Sequence, residues 1–251
     1  MTTRSIMSRP PDPHARVDLL RAARAVFVES GLDRARVEQI TDRAGRSKGS
    51  FYLHFASKED AFREVVAALI GSLAEMLEEV DAPATAAADP VAFLEHWRRS
   101  DLRLFEFLWE NRGVARLVFH GGGSAAFGHL IDEFAERARA RIQEAMHAMV
   151  RAGFYRAGLD VEVNSMLLAG AYDRVARALV QQRRKPDLRR WLGQLQETLL
   201  RGIAAPRLLA VLETDWRAKE TPTSAEEKDG EGSALPTTHA SRPRSRSSRA
   251  S

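Results

Sequence analysis

Residues Gly45 to Phe62 read GRSKGSFYLHFASKEDAF, and they place a turn, two caps and a short helix within twenty positions. Ala44-Gly45 closes one helix, because glycine reaches the left-handed backbone that a helix exit needs. Ser47 is the expected cap of the next helix, its hydroxyl accepting from an orphan N–H. Two short helices joined by a glycine-bearing turn of about 3–4 residues make a helix-turn-helix, whose second helix enters the DNA major groove. At about 100° per residue, Phe51 and Phe55 share one side of that helix, and Gly49 and Leu53 lie roughly opposite, with Ser50 and Tyr52 on the flanks. The two phenylalanines are the expected anchor. The remaining face is small and polar apart from Leu53, and Gly49 suggests close approach of another backbone.

Working outward, Arg16 to Val66 resembles the DNA-binding domain of the TetR (tetracycline-repressor-like) family. The residues that carry the likeness are Arg16, Leu19-Leu20, Ala22-Ala23, Phe27 and Gly31, then Val37, Ile40, Ala44-Gly45, Ser47-Lys48-Gly49, Phe51-Tyr52, His54-Phe55 and Ser57-Lys58-Glu59. Two departures stand out. Ala35 and Arg36 replace the usual threonines before the first motif helix, which leaves Asp33 as a substitute cap and Arg36 as an added phosphate contact. Arg46 replaces the usual valine and sets a cation beside the recognition helix.

The resemblance implies an all-α fold: an N-terminal three-helix helix-turn-helix domain over residues 16–62, then a helical effector-binding and dimerisation domain over 63–207. It implies phosphate contacts at Lys48, Tyr52, His54 and Lys58. Ser47, Gly49, Ser50 and Leu53 are expected to face base edges or the adjacent backbone, Leu53 being suited to a thymine methyl.

Downstream, apolar residues recur at helical spacing. Ser57-x-x-Asp60 opens a long helix through Val80 as a capping box. Further helices are expected from Pro90 to Asn111, Val114 to Phe119, Ser124 to Ala152, Asp160 to Gln182 and Pro186 to Ala204. By the resemblance, the last two form a dimeric four-helix bundle, with Leu167, Ala171, Val175, Leu192, Leu195 and Leu199 at the interface. The first of the two is apolar on more than one face and must be covered on two sides. Trp97, Phe105, Trp109, Phe127, Phe134 and Phe154 are candidate walls of an effector pocket, with His96, His120 and His129 as polar tips. Each of these aromatics has plain core packing as its alternative.

Residues 1–63 hold 12 basic and 8 acidic residues, a surplus equal to the +4 of the whole chain. The excess charge therefore sits with the proposed DNA-binding part. Absence of cysteine excludes disulfides and thiolate metal sites and fits a cytoplasmic location. No apolar run reaches the roughly 18 residues of a membrane span. Residues 1–15 read as a flexible arm, and 213–251 as a disordered tail rich in Ser, Thr, Pro, Glu and Arg. No catalytic or metal-spacing motif is present, so no enzymatic activity, cofactor or metal is expected.

The expected function is a homodimeric transcription regulator, a repressor released from a palindromic double-stranded DNA operator by a small apolar effector. The alternatives are a ligand-dependent activator of the same family, or a helical adaptor that binds proteins and keeps a vestigial DNA motif.

Overall fold

The computed structural model describes residues 14–78, 89–119 and 127–220. The N-terminal arm up to residue 13, His120, the glycine run at 121–123 and the tail beyond Glu220 lie outside the described residues. Among those described there are ten helices and no strand, the nearest approach to one being an isolated antiparallel bridge between Tyr155 and Ala204. No described helix is long and apolar enough to cross a membrane.

Three helices build the first core. Helix α1 (Ala15–Arg34) is broken at Gly31, whose φ of 76° is open to glycine without strain, and a further turn runs on to Arg34. Helix α2 (Val37–Ala44) exits through Gly45 at φ 62°, the left-handed cap its sequence announces. Its start corrects the expectation for Asp33. Arg36 is the N-cap residue, and its own N–H donates to Gln39 Oε1 at 2.9 Å. Helix α3 (Lys48–His54) begins at Ser47, whose Oγ accepts from the N–H of Ser50 at 3.1 Å. Phe51 and Phe55 are both buried, their ring centroids 5.3 Å apart.

Helix α4 (Lys58–Glu78) belongs to both halves of the fold. Ser57 caps its start, accepting from the N–H of Asp60 at 3.1 Å. Near that end Phe62 stands edge-on to Phe27 of α1, centroids 5.2 Å apart. Near the other end Leu73 is buried among the body helices. The described residues up to Leu212 accordingly form one compact unit, with no division near residue 63.

The body continues through α5 (Pro90–Glu110), α6 (Arg112–Phe119), α7 (Gly128–Arg151), α8 (Val161–Gln181) and α9 (Leu188–Ile203). Asp160 and Asp187 cap the last two, accepting from Val163 and Arg190 at 3.0 Å each. A helix not expected from the sequence, α10 (Pro206–Glu220), follows. Leu208 and Leu212 on it are fully buried, and Phe154 carbonyl receives the N–H of Ala205 at 2.8 Å just before it starts. The tail expected from residue 213 is therefore helical as far as Glu220. Composition misleads here because TDWRAKE is polar yet contains no helix breaker before Pro222.

Candidate DNA-binding face and ligand cavity

The outer surface of α3 is the first candidate site. With Phe51 turned into the core, Tyr52 is 56% exposed and Leu53 75% exposed. Ser47, Lys48 and Gly49 are exposed beside them. A Cβ built on Gly49 would meet only Ser47 Oγ, at 3.7 Å, so the protein itself leaves this position open. Ser50 and His54 are partly buried, the imidazole edge-on to Phe55.

The cations around α3 are held differently from one another. Lys48 pairs with Glu38 of α2 in an exposed ion pair that lowers the Glu38 pKa through a direct hydrogen bond. Such a pair is weak and screened, so an approaching phosphate competes with it readily. Arg46 reaches back to Asp18 of α1 at 2.7 Å and is three-quarters covered. Arg36 is exposed at the α2 cap. Lys58 requires a correction. Its ammonium donates to the carbonyls of Leu32, Asp33 and Ala35 at 2.9, 3.1 and 3.1 Å, which uses all three N–H groups. It ties the start of α4 to the end of α1 instead of facing a phosphate. Lys58→Met should therefore lower stability by about 1–3 kcal/mol, measured by denaturant unfolding. A variant as stable as the parent would restore Lys58 as a phosphate contact.

The second site is a cavity of about 450 Å³ between α4, α5, α7 and α8. Trp97, Phe105 and Phe134 line it, as does His96, whose Nε2 is buried and finds no hydrogen-bond partner. Four expected wall or tip residues lie elsewhere. Trp109 stacks under the Arg112 guanidinium, 4.3 Å from ring centroid to carbon, at the turn from α5 into α6. Phe127 precedes α7 and packs on Phe62 at 5.2 Å, continuing the aromatic column from Phe27. Phe154 is fully buried outside the cavity lining, beneath the guanidinium of Arg207. His129 is exposed.

A polar cluster within this cavity is absent from the sequence-based expectations. Asp101 of α5 is buried and lines the cavity. Tyr172 of α8 donates its hydroxyl to Asp101 Oδ2, and Gln196 of α9 donates to the same atom at 2.6 Å. Burial pushes the Asp101 carboxyl up to about 7 in spite of hydrogen bonds from Tyr172, Gln196 and Trp97 that favour the ion. The sequence does carry a signal for it. Trp97, Asp101, Phe105 and Leu108 fall on one helical stripe, and a carboxylate on an apolar stripe is out of pattern.

On α8 and α9 the apolar surface is uneven. Val163, Met166 and Leu167 are 45%, 50% and 62% exposed, and Ala171, Val175, Leu195 and Leu199 are half-buried. Leu192, expected at the dimer interface, is a correction, since it is buried within the core of the chain itself and has no surface to offer a partner.

A helix-turn-helix with an open recognition face, carried on an all-α body with its own cavity, is the architecture of a DNA-binding regulator. Residues 19–65 match the family model for bacterial regulatory proteins of the tetR family. The DNA-binding domain is that of the tetR family, and the chain is a DNA-binding transcriptional regulator. It is similar to the transcriptional repressor KstR2 of Mycobacterium tuberculosis, 47% identical over 51 residues, a match spanning 20% of this chain and 26% of that one. The likeness to the fatty acid metabolism regulator protein of Bacillus subtilis is broader, 23% identical over 74% of this chain and 94% of that one. Among solved structures, SmeT, the repressor of a multidrug efflux pump of Stenotrophomonas maltophilia, superposes with a TM-score of 0.58 at 22% identity, over 77% of this chain and 92% of that one. That likeness establishes the fold shared by the body helices.

Proposed function

We propose that the protein is a homodimeric repressor, released from a palindromic operator when a small molecule enters the cavity. The observation that carries this reading is the path of α4. Its first turns place Phe62 in the core of the DNA-binding helices, and farther along Leu73 and Leu77 line the cavity. A ligand that displaces the far end of α4 moves the near end with it, since interiors pack too tightly to absorb the shift. A second tie runs in parallel. Arg24 of α1 hydrogen-bonds Asn111 at 2.5 Å, and Gly113 beside it sits so close to Val28 that an added Cβ would lie 2.7 Å from Val28 Cγ1. Both routes connect the cavity wall to α1 and thence to α3. Ligand binding then favours one spacing of the two recognition helices over another, and operator affinity follows. The sign, repression, is taken from KstR2 and SmeT, both repressors.

Lys48, Tyr52 and Arg36 supply phosphate contacts in this reading, while Ser47, Gly49, Ser50 and Leu53 meet the groove. The test is selection of random duplex DNA on the purified protein at moderate salt. A palindrome with half-sites one helical turn or a multiple apart is expected. Lys48→Ala should then flatten the dependence of log affinity on log salt by about 1 for each half-site, as one phosphate there goes unneutralised. No enriched sequence, with or without candidate ligands, would remove the operator reading.

A further inference from the structure

The cavity reveals the charge of its ligand, an inference that rests on the effector reading above. Four carboxylates line it, Asp101, Asp132, Glu144 and Asp173, against two guanidiniums, Arg141 and Arg177. Both arginines are already engaged. Arg141 pairs with Glu144 at 2.9 Å, and Arg177 pairs with Asp173 at 2.8 Å while donating to the Phe119 carbonyl at 2.8 Å. No basic side chain among the described residues pairs with Asp101 or Asp132. The polar groups buried in the interior are thus the Asp101 carboxylate and the unpartnered His96 Nε2, Asp132 being exposed. The rest of the wall is apolar, from Phe93 and Trp97 to Phe134 and Met149.

We infer that the cavity selects a lipophilic cation, an apolar body bearing one protonated amine whose ammonium is bound by Asp101. An anionic ligand would meet a buried carboxylate with no free arginine to offset it. A neutral ligand leaves that carboxyl to hold its proton and gains nothing from its charge. An ammonium completes the pair and supplies N–H donors for the lone pairs that Tyr172, Gln196 and Trp97 leave unfilled.

Proton linkage sharpens the inference. Tyr172 of α8 and Gln196 of α9 hydrogen-bond Asp101, and the charged or titratable groups lining the same cavity are His96 of α5, Asp132, Arg141 and Glu144 of α7, the buried Tyr155, and Asp173 and Arg177 of α8. Because its carboxyl titrates near 7, a ligand that binds only the ionised form should gain about tenfold in affinity from pH 6 to pH 8.

The experiment uses a matched series on the full chain: decylammonium, decanol and decanoate, titrated calorimetrically below their aggregation concentrations at pH 6 and pH 8. The expected order is decylammonium, then decanol, then decanoate, with at least tenfold between the cation and the alcohol. Decylammonium alone should gain the tenfold between pH 6 and pH 8. Asp101→Asn should abolish both the preference for the cation and its pH dependence, while decanol affinity stays within about threefold; that separates Asp101 from His96, which remains in the variant. Equal affinities for the three, or decanoate binding tightest, would overturn the cation inference and leave the cavity as an effector site. Binding of none of them to the folded protein would remove the effector reading and the inference with it.

Discussion

Leu167→Arg should convert the protein into a folded monomer of about 28 kDa with operator affinity reduced about a hundredfold or more. Leu167 is 62% exposed in the protomer, flanked by Val163 and Met166 on the same face of α8. A contiguous apolar surface of this kind on a soluble helix marks an interaction site. Glycines 170 and 202 on the two helices have no atom within 4 Å of a built Cβ, which leaves room for a partner's helices to approach closely. A two-fold axis repeats the same patch on both protomers, so one substitution buries two guanidiniums against each other without counter-ions. The protomer itself should be unaffected, since the new side chain points into solvent once the partner leaves. Loss of the dimer uncouples the two recognition helices, and each half-site must then be bound alone. Sedimentation velocity reads the mass and fluorescence anisotropy on operator DNA reads the affinity. An unchanged dimer mass would remove this face of α8 from the interface, and Leu195 and Leu199 on α9 would lose their partner in the reading as well.

Much of the fold is legible because local signals agree with one another. Ser47, Gly45, Ser57 and Asp160 each stand where a cap or turn requires that chemistry, and the structure uses three of the four as hydrogen-bonded side-chain caps and the fourth, Gly45, as the left-handed exit. Phe51 and Phe55 belong to the core by a one-turn spacing that leaves little freedom. Sequence fails where periodicity states that a residue is apolar and on a face, but not which neighbour covers that face. Trp109 and Phe127 have the same character as Trp97 and Phe134, yet a turn at Asn111 and the packing of Phe127 on Phe62 take them away from the cavity. Leu192 and Leu195 are three residues and about 60° apart around one helix, yet the first is buried and the second half-buried. The charge of Lys58 suggests a phosphate, whereas the three carbonyls that hold it come from residues 23 to 26 positions earlier. The Asp101 cluster joins α5, α8 and α9, spanning 95 positions, so no local window contains it.

Replacing that aspartate, as Asp101→Asn, should stabilise the protein above pH 7 and flatten part of its pH profile. The carboxyl titrates near 3.8 in an exposed setting and near 7 in the fold. Between those values the unfolded chain has released the proton that the folded chain still holds, so folding takes up a proton and stability falls as pH rises. The fall begins near pH 4, is complete a little above pH 7, and three units of difference correspond to about 4 kcal/mol. Asparagine is neutral throughout, and its amide oxygen can accept from both Tyr172 and Gln196, which share Oδ2 in the parent. Denaturant unfolding of both proteins at equal concentration, at pH 5 and pH 8, isolates this group, because every other titrating residue is common to the pair. The gap in unfolding free energy should widen in favour of the variant by about 3 kcal/mol from pH 5 to pH 8. Parallel profiles would mean that the folded carboxyl titrates near its ordinary value. A well-packed protein that keeps a destabilising carboxylate beside Trp97 and Tyr172, where a neutral amide would fit, retains it against its own stability. Groups held in that way are where binding sites are found, and here the same side chain that weakens the empty protein is the one that pairs with a cation entering the cavity.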